Sequence, residues 1–378
     1  KNGMSFWEGS GMSFKKRKQQ IAAALSACAV LFAGSFAYAP MPVANAGLFS
    51  TGDVVGALLG GAAYSAQLNK QIKYYNNTEE GRQELLQQIK DQYGVNEDYA
   101  LNARLDGIMS NLTSAIASVD PTIYDKPYLY FINNEKSFNA FCTLGHDMSV
   151  NTGLFDVLTN DDEIAVVLGH EMGHGQKDHP AIGAKRSIGP AVLAAATGGS
   201  ILGNLAANAW NNQGITKPQE KEADALAFEY ITHSNYNPGA TAAIWQRVID
   251  KSNGSKTPEI FYWAYGGSDH PSDTSRRDTA AEKLEAYSGK HVSIDKDEGV
   301  VKVNKQEFVK PAAAGDMSAK ERAYFVMGNL AAAYHNGHNK EAATVEGQTV
   351  KLGAQPIMTC VDGDESPEVL AERLNKIK

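Results

Sequence analysis

The stretch VVLGHEMGHGQKDHP, Val166–Pro180, sets three histidines and one glutamate within ten positions. On a helix, residues four apart share a face, so His170 and His174 present two imidazoles to one point. Glu171 sits one position round, where its carboxylate reaches a water beside that point rather than the point itself. This is the HExxH pattern of a zinc site with a glutamate base, and its rival is a solvated helix face with two ordinary histidines. The rest of the chain must decide between them.

A helix over about Asp161–Lys177 is predicted. Asn160 is its N-cap, Glu163 follows three residues on, and Asp161 and Asp162 complement the positive end of the helix dipole. A third histidine six residues after His174, with glycine midway, would complete one known ligand set. Those positions hold Pro180 and Lys177, so that scheme fails. His179, one residue off, reads as a helix-end histidine favoured by the dipole. A glutamate on a later helix can close the set instead. QEKEADALAFEY (Gln219–Tyr230) offers Glu220, with Asp224 one turn on. Both carboxylates then lie on one face, the first to bind metal and the second to hydrogen-bond a ligand histidine. Glu222, two positions from Glu220, points elsewhere. His146 reads as a loop residue, and His335 and His338 as a polar helix terminus.

HExxH followed 46 residues after His174 by E-x-E-A-D is one of three blocks that occur in order. The others are SFNAFCTLGHDMSVNTGLFDVLTNDDEIAVVLGHEMGHG (Ser137–Gly175) and the segment Asp269-His270-Pro271-Ser272 with Arg276. In these blocks the chain resembles the HtpX-like and CAAX-prenyl-protease-like gluzincin zinc metallopeptidases, over roughly Tyr93 to Leu284. The resemblance implies an α+β fold, a mostly helical catalytic domain with a small antiparallel sheet. It implies one Zn2+ per chain on His170, His174 and Glu220, with Glu171 as general base and Asp224 and Arg276 behind the ligands. His270 would stabilise an oxyanion or plug the metal at rest. Asn139, Ala140, Phe141 and Cys142 would form the edge strand to which a polypeptide substrate adds by backbone pairing. The chain departs from the family at Cys142 and His146, where smaller residues are common.

The surrounding sequence sets the context. The chain's 378 residues allow about two domains. Its net charge of −8, with a single tight cationic cluster at Lys15–Lys18, gives no electrostatic support for nucleic acid binding. That cluster precedes an apolar run, Ile21–Ala39, and the small residues of Ala44-Asn45-Ala46, which reads as a signal peptide over 1–46. Lipidation at Cys28, or an uncleaved anchor, would instead associate the protein with a membrane. All three readings place it outside the cytoplasm, periplasmic or extracellular. Residues 47–92 read as a helical lead-in, 93–290 as the peptidase domain and 292–378 as a small separate α+β domain. The apolar, glycine-rich Ile188–Leu205 reads as a close-packed helix rather than a membrane span. For Cys142 and Cys360, one disulfide and two buried thiols stay equally open.

Two functions follow: an exported zinc endopeptidase, in envelope protein quality control, or a zinc-containing binding or chaperone-like module with a plugged site. Binding alone would not need Glu171, which favours the enzyme.

Overall fold

The structure, a computed structural model, describes residues 65–66, 69–186, 215–254 and 272–378. The expected signal peptide, the lead-in up to residue 64, Ile188–Leu205 and His270 lie outside the described residues. Residues 76–180 and 215–378 form one compact unit. Among the described residues no helix is long and apolar enough to cross a membrane.

The peptidase half begins with α1 (Glu79–Tyr93), which Gly94 ends in the left-handed region at φ 71°, and α2 (Tyr99–Val119), capped by Asp98. Three strands follow: β1 (Leu129–Asn133), β2 (Ala140–Cys142) and β3 (Asp147–Asn151). The sheet is mixed rather than antiparallel. β3 lies in the centre, parallel to β1 and antiparallel to β2. The link 134–139 skips one strand position, and the turn through Gly145 and His146, both at positive φ, brings β3 back into the gap. Alternation of side chains does not encode strand order, and β3, buried at every position, has no alternation to read.

Next come α3 (Thr152–Val157), α4 (Asp161–Gln176), α5 (His179–Arg186), α6 (Lys217–Thr232), α7 (Ala240–Gly254) and α8 (Asp273–Tyr287). Helix α4 starts as expected, with Asn160 accepting from the Glu163 N–H at 2.8 Å while its amide donates to the Glu163 carboxylate at 2.7 Å. It is buried continuously from Glu163 to Gly175, so it runs through the core rather than along a surface. Small residues let α6 approach it closely. Gly169 faces Ala227, and a Cβ at Gly173 would lie 3.3 Å from Leu226 and 3.4 Å from Ala223.

Residues 292–378 contain two copies of one unit, three antiparallel strands and a helix. The first is β4 (Val292–Asp295), β5 (Val300–Val303), β6 (Gln306–Val309) and α9 (Ala319–His335). The second is β7 (Ala343–Glu346), β8 (Thr349–Leu352), β9 (Gln355–Thr359) and α10 (Pro367–Ile377). VVKVNKQEFV (Val300–Val309) superposes on TVKLGAQPIM (Thr349–Met358), with Val, Lys and Gln identical at 301/350, 302/351 and 306/355. The register slips at the same place in both, between Val301 and Lys302 and between Val350 and Lys351. A serine caps each helix, Ser318 within a capping box and Ser366 before Pro367. The copies interlock: α9 packs on β4 and β5 of its own unit and on β9 of the other, while α10 packs on β7, β8 and β6.

This half does not close a core of its own. Ala242 and Ala243 of α7 and Ala280, Ala281 and Leu284 of α8 share one apolar cluster with Val301, Phe308, Leu330, Val350 and Leu370. Gly239, just ahead of α7, meets Gly328 of α9 so closely that a Cβ on either would strike the other helix's backbone.

Candidate metal centre

Helix α4 carries His170, Glu171 and His174 into the core beside the first turn of α6. The Nε2 atoms of His170 and His174 are 3.0 Å apart. The Glu220 carboxylate stands 3.4 Å from the first through Oε2 and 3.5 Å from the second through Oε1. Among the described residues these three form the group of donors that could hold a metal ion, and all are buried. A tetrahedral ion with metal–nitrogen bonds of about 2.0–2.1 Å separates its ligands by about 3.3 Å, so the donor set fits one. The charges fit as well. Burial opposes a proton on His170, yet Asp224 and Glu220 outweigh it and hold the ring's pKa up at about 10. The same acids would favour a metal cation.

Asp224 lies behind His170. Its Oδ1 is 2.9 Å from His170 Nδ1, and Arg276 of α8 donates to both of its oxygens, from Nε at 2.7 Å and from Nη2. Burial works against the Asp224 charge, but Arg276 and His170 bring its pKa down to about 2. Arg276 in turn lies flat on Trp245 of α7, 3.6 Å from the ring centroid, a contact that no motif signals.

Glu171 is 8% exposed and accepts a hydrogen bond at 3.1 Å from the Cys142 N–H of β2. Burial, helped by the Glu220 charge, raises its pKa to about 7. β2 lies at an edge of its sheet. Asn139 O and Thr143 N are spent on β3, so by the antiparallel alternation Ala140 and Cys142 direct their backbone groups away from β3, the Cys142 N–H towards Glu171. Cys142 and Cys360 are both buried and form no disulfide with each other.

Sequence reasoning missed three placements. The chain leaves α4 at Gln176 and turns at Asp178, at φ 51°. That turn brings His179 back under the site, with its Nδ1 2.9 Å from His174 Nδ1. Glu222, read as pointing away, lies 3.2 Å from His179 Nε2. His146 is buried and stacks on Tyr128 at 4.5 Å, while Tyr128 Oη donates to Met172 O at the end of α4. At φ 60° His146 occupies the left-handed region. Burial, with Lys126 beside it, lowers the His146 pKa to about 4.

A pair of histidines one helical turn apart, a glutamate from a second helix, a carboxylate base and a strand that is outermost in its sheet among the described residues define a metallopeptidase site. The profile of peptidase family M48 matches residues 100–284. The metalloprotease LoiP of Escherichia coli (strain K12) is 26% identical over 184 residues, 46% of this chain and 70% of that protein. The beta-barrel assembly-enhancing protease of the same organism is 26% identical over 150 residues, 35% of this chain and 31% of that protein. The mitochondrial metalloendopeptidase OMA1 of Saccharomyces cerevisiae is 24% identical over 162 residues, 40% and 47% of the two chains. The chain thus spans less than half of the last two. It is a metalloendopeptidase of the HExxH…E type.

Proposed function

We propose that the metal is zinc, one ion per chain, held by His170, His174 and Glu220, and that the enzyme cleaves extended polypeptides outside the cytoplasm, in envelope protein quality control. The observation that carries this reading is the contact between Glu171 and the N–H of Cys142, which sets a carboxylate base against strand β2 and next to the donor triad. When bound, zinc acidifies water and polarises a carbonyl. A substrate strand adds along β2 beside Ala140 and Cys142, which lays its peptide bonds across the site. Glu171 takes the proton of the attacking water and returns it to the leaving amine. Asp224, fixed by Arg276, holds the His170 ring so that Nε2 faces the metal. His270, adjoining the segment that leads into α8, supplies a hydrogen bond to the developing oxyanion.

The test pairs elemental analysis with cleavage of casein. Glu171→Gln should keep about one zinc per chain while its turnover number falls about 10²–10⁴-fold, and Glu220→Ala should lose the metal. Undiminished turnover in Glu171→Gln, or full zinc in Glu220→Ala, overturns the assignment.

A further inference from the structure

We infer that His179 and Glu222 form a second positioning arm, which orients His174 as Asp224 orients His170. The inference rests on the zinc reading above and deepens it.

The protons decide the direction of the chain of contacts. If Nε2 of His174 gives its lone pair to the metal, the ring's proton sits on Nδ1. That N–H points at His179 Nδ1, 2.9 Å away, which must then accept. A neutral His179 accepting at Nδ1 carries its own proton on Nε2, and that N–H faces Glu222 Oε2 at 3.2 Å. Each nitrogen in the row therefore has one role, and Glu222 ends the row as an acceptor. A histidine that merely closed a helix end would not need both ring nitrogens spent in line with a ligand. His179 is 2% exposed, so its orientation is set by these contacts rather than by water.

The two arms differ in charge. Behind His170 stands a carboxylate, its side chain 25% exposed, paired with the buried Arg276. Behind His174 stands a neutral ring, backed by a carboxylate whose side chain is 48% exposed. His170 is thereby the more strongly donating ligand, and the His174 side is the softer of the two.

The experiment is zinc affinity, measured by competition with a chromogenic chelator and paired with thermal unfolding of the metal-free proteins. In His179→Leu the dissociation constant for zinc should rise about 10–100-fold, the range for losing a partner of a ligand histidine. His179→Gln, whose carbonyl can still accept from Nδ1, should recover most of that loss. Glu222→Leu should weaken zinc binding by less, and because Glu222 is half-exposed it decides the matter should His179→Leu fail to fold. An unchanged constant in folded His179→Leu, or equal losses in His179→Leu and His179→Gln, overturns the arm. Unchanged binding in Glu222→Leu removes Glu222 from it. If the wild type binds no zinc, or Glu220→Ala binds it as tightly as wild type, the zinc reading itself falls and the arm with it.

Discussion

At its first turn α4 carries Glu163, which has no exposed surface and is gripped by the guanidinium of Arg247 at 3.1 and 3.0 Å. At its other end it carries His170, Glu171 and His174, buried almost as deeply, facing Glu220 and Asp224. Both ends bury acids, but their charges balance differently. Around Arg247, Glu321 of the α9 capping box keeps its proton up to about 9, because burial and the Glu163 charge both oppose its ionisation. One buried cation then meets one buried anion, with the exposed Asp316 at the rim. At the histidine end Arg276 donates to Asp224 and stands 4.0 Å from Glu220, whose carboxylate faces the two ligand histidines at 3.4 and 3.5 Å. A buried acid held by a guanidinium, which keeps its proton, is scaffolding; buried acids facing imidazoles, which can give a lone pair to a metal instead, form a site a metal can enter.

The comparison can be broken most forcefully at the balanced end. Arg247→Met strands Glu163 in the core and should cost about 3–5 kcal/mol of stability, the usual penalty for removing one partner of a buried pair. Urea unfolding measures it, and a loss near zero would show that Glu163 does not depend on its cation. At the other end the cation is removable. Chelation should lower stability by about 3–4 kcal/mol relative to protein in metal at 100–1,000 times its dissociation constant. Thermal unfolding with and without chelator reports the difference, which should vanish in Glu220→Ala. If chelator leaves the wild type's transition where it was, that end is self-sufficient and the contrast fails.

A finer cut separates the ligands from their supports. Asp224→Ala should leave the ligand triad in place yet weaken metal binding about 10–100-fold, read by chelator competition. Unchanged affinity would make the Asp224–Arg276 pair scaffolding too.

Asp147 sharpens the contrast with the smallest effect. It is fully buried in β3, with neither carboxylate oxygen hydrogen-bonded, and burial raises its pKa to about 8 against the nearby Arg82 charge. Unfolded, it ionises near 3.8, so folding takes up a proton between those values and stability falls as pH rises through that window. Asp147→Asn should remove the slope and be more stable than wild type at pH 8 by on the order of 1 kcal/mol. Melting temperatures at pH 5 and pH 8 test this, and parallel pH profiles would refute it.

What could be read in advance was whatever a local rule encodes. The α4 start and the His170–His174 pair both depend on residues within one or two turns of each other. Glu220 was legible only because a second motif marks its helix. His179 was not, since its return under His174 depends on a positive φ at Asp178, a conformation that aspartate permits but does not announce. The mixed strand order, the Arg247–Glu163 pair and Trp245 beneath Arg276 are meetings of distant segments, set by packing that no single window contains. The repeat in residues 292–378 was visible in principle, but three identities across ten positions give little to notice before the matching register slips draw attention to them.

The interlocking of those two copies bears on how this half of the protein can change over time. Since β6 lies under α10 and β9 under α9, neither copy retains a complete set of neighbours when the other is cut away. A stop codon after the first copy would strip α9 of β9, including the Ile357 carbonyl that accepts from the Asn329 amide. A lineage can therefore discard the pair only as a whole, and would then have to resurface α7 and α8 at once. There is no shortened, half-way form for selection to pass through.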